Sequence, residues 1–250
     1  MDDAMEEVVK LVLPFLSTPK NYAEMLRKLA SFTFYETYII TLLLRVNPIL
    51  NSFFTEIESS GPIGKVVAII PHYDVLNLSG LVIAFVLAVL THMFQFHDRI
   101  SDVFGIRRRF DRMSILVPLA QRVGLAVTKD KETAMGKHRD ELMRAVFYRY
   151  ASSRADKPLV DKHDIEQALN AWSWFWACVE AIAYFGAGAV ISWWFGFPHL
   201  ANGFAIVAAA FSIIALAQHM RLAGYARPQI DSIAMDPTAA FDVKKQFDAL

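Results

Sequence analysis

Residues 172–195 read WSWFWACVEAIAYFGAGAVISWWF, and this stretch decides the fold. It holds all five tryptophans of the chain, Trp172, Trp174, Trp176, Trp193 and Trp194. Between the two clusters, residues 177–192 are apolar apart from Glu180 and the terminal Ser192. The separation of Trp174 and Trp193 corresponds to about 28 Å of α-helix. A bilayer's hydrocarbon layer is roughly 30 Å thick. Tryptophan favours the membrane interface, where the ring is buried and the indole N–H stays wet. Two indole girdles at that spacing predict one transmembrane helix with both ends marked.

The rest of the composition fits a few membrane spans plus water-exposed segments. Of 250 residues, 55% are hydrophobic, above the usual share for a soluble domain. The 25 basic and 25 acidic residues cancel, so charge gives no argument for direct nucleic-acid binding. The single cysteine, Cys178, excludes an intrachain disulfide and reads as a small apolar packing residue. The acidic start, with Asp2, Asp3, Glu6 and Glu7, lacks the basic opening of a signal peptide, so the first membrane helix is expected to direct insertion.

Four spans are expected, at 32–54, 75–95, 172–195 and 203–218. The first is marginal, because it carries Glu36, Arg45, Asn47, Pro48 and Asn51. A central Arg costs roughly 3 kcal/mol on the insertion scale, and each Leu, Ile or Phe returns roughly 0.5. Loop charge favours four spans over three. Lys10, Lys20, Arg27 and Lys28 lie in 1–31, whereas 55–74 holds only Lys65. The 96–171 stretch holds 15 Lys and Arg against 11 acids. The 196–202 turn has none, and the tail 219–250 has Arg221, Arg227, Lys244 and Lys245. Basic segments stay in the cytoplasm. Both termini and the middle segment are therefore expected inside, in a cell (inner) membrane, with 55–74 and 196–202 external.

The fold class is all-α. No run alternates apolar and polar residues as a half-buried strand would. Pro19 to Ala30 predicts a short amphipathic helix, with Tyr22, Met25, Leu26 and Leu29 on one face. In the middle segment Thr128 opens a helical run. Asp161 reads as an N-cap, with Asp164 in the first turn, and one helix is expected from about 162 into the membrane.

Glu180 is the residue most in need of a reason. A carboxyl within hydrocarbon is expensive and normally faces the bundle interior or a water-filled cavity. Its small neighbours Ala177, Ala183 and Ala187 permit close helix approach. Two readings follow: an ion or proton pathway, or a structural partner drawn from Arg45, His92, Thr91 and Tyr38. Arg107, Arg108, Arg109 and Arg112 form the densest basic cluster, which reads as a positive-inside flank, a contact for anionic lipid, or a site for a specific anionic ligand such as a nucleotide or nucleic acid. His97, His138 and His163, each near an aspartate, are weak metal candidates whose spacing matches no familiar metal motif. His72, Asp74 and His199 are weaker still, as an external cation or pH-sensing set. No phosphate-binding glycine loop and no nucleophile elbow occurs, and no cofactor is implied.

The reading that follows is a non-enzymatic, multi-pass membrane subunit. It is expected to assemble as a homo-oligomer and to couple a cytoplasmic domain, bound by a soluble protein partner, to the bilayer. A pore, altered membrane integrity or signalling is the expected output. In architecture alone the chain resembles membrane subunits of bacterial stress or phage-defence systems, and no motif carries that likeness. Two other readings are a small channel or transporter centred on Glu180, and a membrane-bound metal-dependent hydrolase using the His/Asp pairs.

Overall fold

The computed structural model describes residues 17–59, 78–152 and 159–250. Within them the elements are α1 (Tyr22–Leu44), α2 (Pro48–Ser59), α3 (Leu78–Met93), α4 (Phe96–Phe104), α5 (Ile106–Phe110), α6 (Val117–Arg122), α7 (Lys129–Lys137), α8 (Arg139–Leu142), α9 (Lys162–Trp194), α10 (Pro198–Met235) and α11 (Pro237–Asp248). Two π-helical segments, Asp111–Leu116 and Met143–Tyr148, follow α5 and α8. There is no strand among the described residues. Residues 60–74 of the expected external stretch 55–74, with His72 and Asp74, lie outside the described residues, as do 1–16 and the first three residues of the 75–95 span.

Two helices, α9 and α10, are each long and apolar enough to cross a membrane. The count rises to four if α1 with α2, and α3 with α4, each form one bent span. This is the architecture of a helical membrane protein. Large apolar side chains face outward along it, including Phe85 on α3 and Ile206, Ile213 and Leu216 on α10, each more than 60% exposed. Such rows suit hydrocarbon and are costly in water.

The first expected span needs correction. Residues 32–54 do not form one helix. The predicted amphipathic helix and the start of that span are the single helix α1, which stops at Leu44. The chain then turns through 116° into α2. The reason is local. Asn47 accepts from the backbone N–H groups of Ile49 (2.8 Å) and Leu50 (3.2 Å), capping a new helix that begins on Pro48. An Asx cap followed by proline at the first helical position is a strong start signal. Between α3 and α4, Gln95 takes a positive φ of 47°, and the helix axes bend by 56°.

By contrast, α9 begins where the sequence indicates. Asp161 accepts from the His163 N–H at 2.7 Å, and the helix continues unbroken for 33 residues to Trp194. It ends in a Schellman motif. The N–H of Phe197 reaches the Ser192 carbonyl (2.9 Å), and that of Gly196 reaches Trp193 (3.1 Å). Gly196 supplies the φ of +77° this requires, and Pro198 opens α10. The expected short turn therefore joins the last two membrane helices. However, α10 does not stop near Gln218; it runs on to Met235.

The chain divides into two compact units. The first comprises Ser17 and the described residues of Leu26–His97 and Ser173–Leu216. Its core joins Ile40 and Leu44, Leu50 and Phe54, Ala181 and Phe185, and Phe204. Close approach relies on small residues. A Cβ added at Gly188 would lie 3.2 Å from the Phe204 ring and 3.4 Å from Ile40. The buried face of α9 uses Ala177, Ala181 and Gly188, while Ala187 is exposed. The second unit comprises Thr18–Met25, Asp98–Trp172 and Ala217–Leu250. Its core includes Leu116, Leu119, Met135, Met143 and Val146, together with Leu222, Ile230, Ile233 and Phe247. The segment 219–250, read from sequence as a tail, thus supplies much of this core.

Candidate functional site

On α1, Thr33, Thr37 and Thr41 recur every fourth residue, and all three are buried. A helix places such residues one above another on one face. Thr37 donates to the Thr33 carbonyl at 2.6 Å and Thr41 to the Tyr38 carbonyl at 2.8 Å, so both hydroxyls are satisfied within their own helix. The Thr33 hydroxyl instead donates to Glu180 Oε2 on α9, at 2.7 Å. Glu36 follows Thr33 by three residues, close to one turn. Its carboxyl lies within electrostatic reach of Glu180.

The result is a pair of carboxyl groups inside the apolar bundle, Glu180 being 1% exposed and Glu36 9%. Glu36 Oε2 and Glu180 Oε1 have no hydrogen-bond partner among the described residues. Nor does a described cation offset either charge. Two carboxylates within electrostatic reach of each other in a desolvated site repel, so a proton or another cation offsets the charge there.

The sequence reading offered Arg45 as one of four structural partners for Glu180, and the structure pairs Arg45 with Glu58 instead. Thr33 marks the level of Glu180 along α1. Arg45 lies twelve residues beyond it, about 18 Å at the helical rise. The break after Leu44 turns Arg45 toward α2 instead. There it pairs with Glu58, donates to Ser79 Oγ at 2.8 Å and stands over the Phe54 ring at 5.3 Å. Glu58 also accepts from the Ser79 N–H at 3.1 Å. Arg45 is therefore neutralised locally. Of the other proposed partners, Thr91 bonds the Tyr184 hydroxyl and His92 is exposed.

In the second unit the structure splits the basic cluster. Arg107 faces Asp98 (3.5 Å), Asp111 (4.0 Å) and the Tyr148 hydroxyl (3.5 Å), and Arg112 faces Glu132 (3.5 Å). Arg108 and Arg109 are exposed. They follow Val103 and Phe104, which are 80% and 75% exposed. Arg107 joins an ion network around Asp111, a buried residue that also has Arg139 at 3.4 Å, whereas Arg112 is paired with Glu132. Burial pushes the Asp111 carboxyl up to about 6, with Arg139 and Arg107 pulling the other way. Asp111 begins one π-helical segment, and Tyr148 ends the other. Such segments are rare and recur at functional sites.

The histidines are not brought together. His97 is buried edge-on against Trp176, with ring centroids 5.9 Å apart. His138 is exposed beside Glu141, and His163 contacts Gln167 at 2.6 Å. Among the described residues no three His, Cys, Asp or Glu side chains form a group able to hold a metal ion.

Sequence reasoning missed the role of Glu36, which it counted only as a penalty against the first span. The signal was present in the Thr33–Glu36–Thr37 spacing, a polar stripe on one helix face. It also missed Asp111 and Arg139, whose separation in sequence leaves no local pattern to read.

Residues 21–249 match the YmfE protein family, and the chain belongs to that family. No curated protein and no solved structure matches it.

Proposed function

From its all-helical architecture with candidate membrane helices, we propose that this protein is a non-enzymatic subunit of the inner membrane. Its second unit receives a soluble partner on the cytoplasmic side and passes that state to the membrane bundle. The protein works as a homo-oligomer, whose outward apolar rows on α3 and α10 meet lipid and neighbouring copies. One observation carries this reading: α9 and α10 are each a single helix, and each supplies residues to both units. Trp172 on α9 packs edge-on against Phe110 in the second unit (ring centroids 4.8 Å), and Glu180, eight residues on, bonds Thr33 in the first. Between Trp172 and Glu180 α9 carries neither proline nor glycine, the usual bend points of a helix, so displacement at one of these residues is felt at the other.

The test is hydrogen exchange on the intact chain in lipid nanodiscs. Asp111→Ala loosens the second unit and is expected to change amide exchange in α1 around Thr33 as well. Adding Asn170→Gly and Ala171→Gly to soften α9 should confine the change to the second unit. A response confined to the second unit while α9 is intact contradicts the proposal.

A further inference from the structure

We propose that Thr33, Glu36 and Glu180 form a binding site for one exchangeable monovalent cation, a proton or Na⁺, inside the membrane bundle. The site comes from two helices in one unit, and its occupancy does not depend on coupling between the units.

The geometry carries the assignment. Both carboxyls are at least nine-tenths buried, and each keeps one oxygen without a partner. Among the described residues the nearby titratable groups are the Cys178 thiol and the Tyr184 hydroxyl on α9, and neither is a cation at neutral pH. Tyr184 is occupied with Thr91 on α3. The buried lysine of α1, Lys28, is engaged elsewhere, with the Ser17 carbonyl (3.0 Å) and the Trp174 ring (5.0 Å). Arg45 is held by Glu58. Positive charge must then enter from solution.

The two carboxyls differ in surroundings. Glu180 Oε2 accepts the Thr33 hydroxyl at 2.7 Å and so is the carboxyl held in place. Glu36 Oε2 has no described donor. The exchange is therefore a protonated Glu180 losing its proton to water and becoming a carboxylate. In the sodium case Na⁺ replaces that proton on the Glu180 carboxylate, and one proton is released for each ion bound. Thr33 Oγ1 and the free oxygen of Glu36 supply further oxygen ligands, as a hard cation requires.

Infrared difference spectroscopy on the full chain in lipid nanodiscs tests this, because protonated and ionised carboxyls absorb at different frequencies. Raising the pH from mildly acidic to mildly alkaline in choline chloride should remove one carboxylic C=O band per chain and add carboxylate bands. Replacing choline by Na⁺ at constant pH discriminates the occupants. A matching loss with proton release identifies sodium, and no change identifies the proton alone. The pH-dependent band should vanish in Glu180→Gln, which keeps the acceptor for Thr33. In Glu36→Gln it should persist at a shifted frequency. The proposal is overturned if the wild-type spectrum shows no titrating buried carboxyl over that range. A band unchanged by Glu180→Gln would overturn it equally, and the wild-type series needs no variant to fold.

Discussion

Asp111 shows how a single buried charge sets a pH dependence. Its carboxyl is pushed from an ordinary 3.8 up to about 6 in the folded chain. Between those values the folded state binds more protons than the unfolded one, so stability falls as pH rises. The contribution is fully present below pH 3.8, lost through about pH 6 and flat above. Its size is on the order of 1–3 kcal/mol. Thermal unfolding in detergent should therefore show a midpoint that declines across that range, and Asp111→Asn should flatten the decline. A decline equally steep in the variant would assign it to other groups. Arg45 gives a second prediction. Removing it alone, as Arg45→Met, leaves the buried Glu58 uncompensated and should cost about 3 kcal/mol, while Arg45→Met with Glu58→Leu should recover most of that loss. Equal losses in the single and double variants would show that the pair contributes nothing specific. Glu180 was legible as a residue needing a partner, because its price in hydrocarbon is a property of the residue itself. Which partner it has was not legible. That depends on where α1 stops, and a shift of a few residues along a helix changes the neighbours on its face.

At the scale of elements, boundaries written in local chemistry were readable. Asp161 opens α9, Thr128 opens α7 by accepting from the Lys131 N–H at 3.3 Å, and Gly196-Phe-Pro198 closes one helix and starts the next. The break at Arg45-Val-Asn47-Pro48 used the same signals. Asn47 and Pro48 stood in the sequence as a cap and a helix start, but the apolar run around them reads as one span when only hydropathy is summed. Asn47→Ala should destabilise the α1–α2 corner by about 1 kcal/mol, visible as faster amide exchange at Ile49 and Leu50. Unchanged exchange there would deny the cap a role. Gly188 is the other element-scale test. The close approach of Phe204 and Ile40 leaves no room for a branched side chain. Gly188→Val should cost about 1–3 kcal/mol, whereas Gly186→Val, with nothing within 4 Å of its added Cβ, should be milder. The order of the two midpoints checks the packing.

For the whole molecule, the sequence showed the helical class and the two C-terminal membrane helices. It did not show that 219–250 belongs to a folded unit. Leu222, Ala226, Ile230 and Ile233 recur every three or four residues and are all buried, a stripe masked by the charged residues between them. The tryptophan girdles mark lipid only in part. Trp193 and Trp194 are more than two-thirds exposed, while Trp176 is buried against His97 and Phe175. The most direct test asks whether lipid surrounds α9 and α10. Membranes carrying the full chain are washed with alkaline carbonate, which strips peripheral proteins, and the pellet and supernatant are assayed. The chain is expected wholly in the pellet, released only by detergent; its recovery in the supernatant would contradict the membrane architecture and every reading built on it.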